Sequence, residues 1–275
     1  MKKNKDKYLL ISPSREKEFN LLISALKELR LDNLNILEIG GGSGWQSEKL
    51  KQLGHNIISI DLEKKSDYNL NISNIIFYDG FTIPFQDKKF DMIYSSHVLE
   101  HISHVKDFQI EMHRVLKDDG ICVHLMPTSQ WKIIGLLIWF PHIIKTSIKY
   151  FLTKFRLRKI RSEKVLPSDL YVSRMIKRTF LQNLFMGLID LKFFPKRHGE
   201  IGNAITEIYY FSFHRWNKLF LKTNWKIIKY KNSSVFYAGY SIFEGWPKSI
   251  KSRKLLSLFL GSSSHFFILK KNTTD

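Results

Sequence analysis

Seven residues, Glu38-Ile39-Gly40-Gly41-Gly42-Ser43-Gly44, constrain this chain more than any other stretch. They join a strand-like apolar run, Asn35–Ile39, to a helix-like run, Trp45–Leu53, that Gly54 closes. Glycine is wanted at such a turn because the backbone bends sharply and a Cβ would block close approach of a ligand. The helix that follows offers free N–H groups and a partial positive charge, which suit a carboxylate or a phosphate. A dinucleotide fingerprint needs Gly-x-Gly-x-x-Gly. Started at Gly40 its last position falls on Trp45, and started at Gly41 it falls on Gln46. The frame that fits is acid-x-Gly-x-Gly-x-Gly.

The surrounding chain repeats the strand–helix rhythm. Strands are expected at Asn56–Ile60, Asn74–Tyr78, Phe90–Tyr94 and Ile121–Leu125, and a helix at Val105–Leu116 stopped by Asp118-Asp119-Gly120. Upstream, Ser12-Pro13 reads as a helix start, with Phe19, Leu22, Ile23, Leu26 and Leu29 on one face. Alternation at this spacing implies a doubly wound, mostly parallel sheet with helices on both faces. The rhythm stops at Pro127. Three regions are therefore expected: a core over 1–130, a helical, apolar and basic cap over 131–202, and a return to the sheet over 203–275. In the last region Phe213–Leu221 reads as helix, Trp225–Tyr230 and His265–Leu269 as strands, and Lys231–Gly261 as irregular.

Over roughly Asn35–Pro127 the sequence resembles the class I S-adenosylmethionine methyltransferases, in particular the group of ubiquinone- and menaquinone-type enzymes. The resemblance implies a seven-stranded Rossmann-like sheet, S-adenosyl-L-methionine as cofactor, and Gly40, Gly42 and Gly44 lining its site with Glu38 supporting the loop. Asp61 ends the second strand, where a carboxylate can accept two hydrogen bonds from a ribose diol. Asp79 and Gly80 follow the third strand, where the family places an acid near the adenine amino group, and Phe81 is positioned to flank the ring. The run from Phe90 to His101 resembles the segment that closes under the sulfonium, and implies Ser95 beside the cofactor.

Methyl transfer to a hydroxyl needs a base to take the proton. His97 and His198 are the candidates, with Glu100, His101 and Glu200 near them in sequence. Each has a bland alternative: His97 as a partly exposed helix-start residue, and Lys196–Glu200 as a solvated turn. His97, His101 and His104 have the spacing of one helix face, but no supporting motif accompanies them and no metal is expected. The single cysteine, Cys122, lies in an apolar strand and reads as a buried hydrophobe.

The formal charge of +19 favours an anionic partner without choosing one. Ile133–Ile144 is too short to span a bilayer, and Lys145 to Arg161 is basic without an acid. The stretch 133–161 therefore reads as a cap, as a helix touching anionic lipid, or as both. Ser168–Leu188 reads as a second cap helix. Asn203–Trp216 loosely resembles a segment of surface-polysaccharide methyltransferases, which points to a small or lipid-linked glycan acceptor with a sugar hydroxyl. RNA is the weaker expectation, because Tyr94-Ser95-Ser96-His97 stands where exocyclic-amino methylation wants Asn/Asp-Pro-Pro-aromatic. A non-catalytic binding protein on the same fold is the third reading. A cytoplasmic location, with peripheral contact at the inner membrane face, is expected from the single cysteine and the short first apolar run.

Overall fold

The computed structural model describes residues 2–62, 75–141, 197–237 and 249–272, with side chains from residue 13 onward. The expected cap helix Ser168–Leu188 and the basic part of 133–161 lie outside the described residues. Helix α1 (Lys2–Glu28) leads into β1 (Asn35–Ile39), α2 (Trp45–Gln52), β2 (Asn56–Leu62), β3 (Ile75–Tyr78) and β4 (Phe90–Ser96). A 3-10 turn at Leu99–His101 precedes α3 (Val105–Val115) and β5 (Leu116–Pro127). Helical residues 129–141 form α4. Then come α5 (Glu207–Tyr210), α6 (Phe213–Lys222), β6 (Trp225–Asn232), α7 (Ile250–Leu260) and β7 (Ser264–Lys271). None of the described helices is long and apolar enough to cross a membrane.

The seven strands form one sheet in the order β3-β2-β1-β4-β5-β7-β6. The five from β3 to β5 pair in parallel, and β7 inserts antiparallel between β5 and β6. Alternate residues of each central strand feed opposite faces, as a pleated strand requires. Leu37, Ile39 and Ile93 join Phe108 and Met112 of α3 and Trp216 and Phe220 of α6 on one side. Ile36, Met92 and Tyr94 join Phe19, Leu22 and Leu26 of α1 on the other. Both faces are covered, so most of β4 and β5 is buried. Cys122 is buried among them as expected.

Three expectations about elements need correction. α1 does not start at Pro13 but runs through it from Lys2, tolerating the one helical hydrogen bond that proline cannot donate. Asp118-Asp119-Gly120 does not end a helix before a separate strand; it lies within β5. The pairing jumps from Phe90 with Leu116 to Met92 with Ile121, so the loop-like residues form an irregularity inside the ladder. Finally, the stretch expected to be irregular after Lys231 contains α7, capped by Ser249, whose hydroxyl accepts the Ser252 N–H.

Candidate active site

All parallel strands end at one edge of the sheet, and the site is built there. The loop after β1 holds Gly40, Gly42 and Gly44 at φ of 76°, 53° and 72°, the left-handed region where a side chain is strained. A Cβ on Gly40 would lie 2.3 Å from Val98 Cγ2, so the absent side chain lets this loop close against the one after β4. At Gly42 a Cβ would meet nothing nearer than the Gly40 carbonyl at 3.8 Å and would point into open space. The Gly40 and Gly41 N–H groups both donate to the Ile60 carbonyl, tying the loop to β2.

Glu38 lies under this loop, 1% exposed. Its Oε2 accepts from Ser59 Oγ at 2.7 Å, while Oε1 has no hydrogen-bond partner. Burial pushes its carboxyl up to about 7, against the hydrogen bond from Ser59. Asp61, at the end of β2, accepts the Gly42 N–H at 2.9 Å through Oδ2 and the Leu62 N–H at 2.8 Å through Oδ1. It therefore braces the glycine loop as well as edging the site. Asp79 accepts the N–H groups of Phe81 and Thr82 at 2.8 and 2.9 Å, and these bonds hold its carboxyl below the usual range. Gly80 stands beside it at φ 86°, its carbonyl 2.9 Å from His104 Nε2. The Phe81 ring is 62% exposed and stacks on His104 with centroids 4.3 Å apart.

Ser95, near the end of β4, has a wholly buried side chain, its hydroxyl 2.8 Å from His124 Nδ1, so only its backbone is left to face the loop.

His97 sits directly after β4 at φ 59°, an unusual conformation for a residue with a side chain. Its Nε2 lies 3.3 Å from Glu18 Oε2 and 3.5 Å from Ser264 Oγ, and its Nδ1 lies 3.6 Å from Glu100 Oε1. Its imidazole, 9% exposed, lies between two buried carboxylates. Glu100 is 5% exposed, and neither carboxylate oxygen has a hydrogen-bond partner. Burial raises its pKa, opposed by the charges of His101, His198 and Arg15. His198 arrives from the far side of the expected cap. Its ring packs against His101 and Trp131, with centroids 5.0 and 4.9 Å away. That desolvation pulls its pKa down to about 4, although Glu100 opposes the shift. Both expected bases thus border Glu100. His97, His101 and His104 do not share a helix face: His101 ends the 3-10 turn and His104 is the N-cap of α3. Among the described residues, Glu100, His101 and His198 place one ligand-type atom each within 4.8 Å of one another.

Several site residues carried no sequence signal as ligands or bases. Glu18 and Arg15 come from α1, with Arg15 NH1 3.2 Å from Glu18 Oε2, and Ser264 of β7 donates to Glu18 Oε1. Glu18 was detectable only as an acid four residues before Leu22 on the buried helix face. Glu207 positions His198. Its Oε1 accepts the N–H groups of His198 and Gly199 at 2.6 Å each, and its Oε2 pairs with the buried Lys132 ammonium of α4. Substituting Lys132 with methionine leaves the Glu207 carboxylate buried without its cation, and is expected to cost about 3–5 kcal/mol of stability in a urea titration. Glu207→Gln with Lys132→Met together should recover part of that loss.

Buried histidines also set an acid dependence. Burial pulls His124 down to about 3, so the folded chain binds fewer protons than the unfolded chain between that value and about 6.5. Stability from this residue is full above pH 6.5 and is lost as pH falls through that window, about 2 kcal/mol between pH 7 and pH 5. His124→Gln should flatten that part of the urea midpoint against pH.

Residues 37–124 match the family model described as methyltransferase domain. The ubiquinone biosynthesis O-methyltransferase of Pelagibacter ubique (strain HTCC1062) is 32% identical over 126 residues, covering 40% of this chain and 52% of that protein. The malonyl-[acyl-carrier protein] O-methyltransferase of Buchnera aphidicola subsp. Baizongia pistaciae is 30% identical over 108 residues, covering 38% of this chain and 43% of its own length. The chain thus spans about half the length of the curated relatives it matches. A chain in the structure of the Haloferax volcanii Trm112 methyltransferase activator complex superposes with a TM-score of 0.51 at 9% identity, covering 89% of this chain and 84% of that one. That likeness is one of fold.

Proposed function

We propose that this chain, which carries a class I methyltransferase fold with its domain match at residues 37–124, transfers a methyl group from S-adenosyl-L-methionine to a hydroxyl of a small or lipid-linked acceptor. The observation that carries the reading is the glycine loop held between Glu38 and Asp61, with Asp79 at the end of the neighbouring strand. The residues fit that cofactor. Gly42 leaves open space where a side chain would stand, Glu38 Oε1 is an unsatisfied acceptor under the loop, and Phe81 is an exposed ring beside Asp79.

When bound, the cofactor supplies a methyl group on a sulfonium for in-line displacement. The chain's own residues do the rest. Gly40, Gly42 and Gly44 would admit the methionine half, Asp61 the ribose hydroxyls, and Asp79 with Phe81 the adenine. His97, between Glu18 and Glu100, would take the acceptor's proton, and either carboxylate would stabilise the resulting imidazolium. His198, drawn toward the neutral form by burial, is the second base available. A hydroxyl acceptor is further supported by the absence of an Asn/Asp-Pro-Pro-aromatic run at Tyr94–His97. Our reading of the acceptor is a sugar hydroxyl in glycan assembly, on the resemblance of Asn203–Trp216.

Incubating the chain with methyl-labelled cofactor and bacterial membrane, nucleotide-sugar and RNA fractions is the test. Label in glycan or glycolipid is expected. Label confined to RNA would replace the acceptor, and cofactor binding without transfer to any fraction would favour a non-catalytic protein.

A further inference from the structure

Helix α7 plays no part in the site just described, yet it carries one of the most exposed apolar groups among the described residues. Leu255 is 59% exposed and Leu258 and Phe259 are each 79% exposed. Their spacing of three and four residues puts them on one face. Lys251 and Lys254, also exposed, occupy the same face one turn earlier. The opposite face is firmly seated: Arg253 is 4% exposed, donates to Ser14 Oγ of α1, and its carbonyl accepts the Phe236 N–H. The apolar side chains therefore stand out from a docked helix, and the exposure of three such groups together calls for a partner.

Their position is informative. α7 ends where β7 begins, and β7 starts opposite Pro127, the last residue of β5. A Cβ on Gly261 would touch Gln130 Cγ at 2.8 Å, so the end of α7 abuts the start of α4. On α4, Leu137 is 61% and Phe140 44% exposed. Both helices thus lie at the sheet edge that holds the glycine loop and His97.

We propose that the solvent face of α7 docks on an anionic lipid bilayer, with Leu258 and Phe259 entering the headgroup–acyl boundary and Lys251 and Lys254 meeting lipid phosphates. The charge of the chain, +19, complements such a surface and opposes its pairing with a second copy. Large apolar residues flanked by lysines on a seated helix are the pattern of interfacial contact. The site edge would then face the membrane.

The test is co-flotation of the full chain with vesicles of phosphatidylcholine alone and of phosphatidylcholine mixed with phosphatidylglycerol, together with light scattering. Binding to the anionic vesicles is expected to be at least about tenfold tighter, and to fall about tenfold or more in Leu258→Ser/Phe259→Ser and in Lys251→Glu/Lys254→Glu. These side chains are exposed, so the melting temperature should be unchanged. No binding to anionic vesicles overturns the proposal, as does binding that both double variants retain. A dimer that Leu258→Ser/Phe259→Ser converts to monomer, without vesicle binding, assigns the face to a second copy instead. Because flotation requires no methyl transfer, these outcomes are independent of the proposed reaction.

Discussion

Gly42→Val is expected to weaken S-adenosyl-L-methionine binding at least about a hundredfold while the protein still folds. The two effects separate because of where a Cβ would go. At Gly42 it meets no protein atom closer than 3.8 Å, so the fold suffers only the strain of a side chain at φ 53°, about 1–2 kcal/mol. The new isopropyl group would instead fill the space that the glycine leaves above the loop. Gly40→Val provides the contrast. Its Cβ would collide with Val98 at 2.3 Å, so that variant should lose stability first and binding as a consequence. Thermal melts with and without cofactor distinguish them: Gly42→Val should melt within a few degrees of the parent but show no cofactor-induced shift. A Gly42→Val protein that retains the shift would remove the loop from the cofactor site.

The second large effect is expected at His97. Replacement with asparagine keeps a polar side chain and a residue tolerant of positive φ, so the turn after β4 should survive. Turnover should fall by about 100- to 10,000-fold, the range for losing a positioned base, with cofactor affinity changed only a few fold. Glu18→Gln is the milder companion. It keeps the contact with Nε2 but removes the charge facing the imidazole, and should shift the acid limb of the pH–rate profile more than it lowers the plateau. If His97→Asn keeps near-parental turnover, His198 is left as the base, and His198→Asn should then show the loss.

The parts of this architecture legible in sequence are those whose chemistry is local. Glycines at positive φ and strand–helix alternation each demand particular residue types within a few positions, so the turn and the strand pattern were read from the residues, while the role of Asp79 came from the family resemblance. Ser95 was placed by the family resemblance alone, and nothing in its local sequence announces that its hydroxyl is buried against His124. Around β4 both faces are core, so a hydroxyl pointing inward looks the same in sequence as one pointing outward. The partners of His97 were hidden for another reason. Glu18 lies far upstream on a helix whose visible signal is its apolar face, and Ser264 lies at the opposite end of the chain. Nor does any local pattern announce that Glu207 holds His198 beside Glu100. The irregularity of β5 was masked because Asp118-Asp119-Gly120 has the composition of a turn whether it separates two elements or is absorbed within one ladder.

The central claim is that the loop from Glu38 to Asp61 holds S-adenosyl-L-methionine. Isothermal titration of the full chain with the cofactor tests it most directly. The expected result is saturable binding at one site per chain, abolished in Gly42→Val and weakened in Asp61→Ala. Absence of heat and of any thermal shift with the intact, folded chain would contradict it.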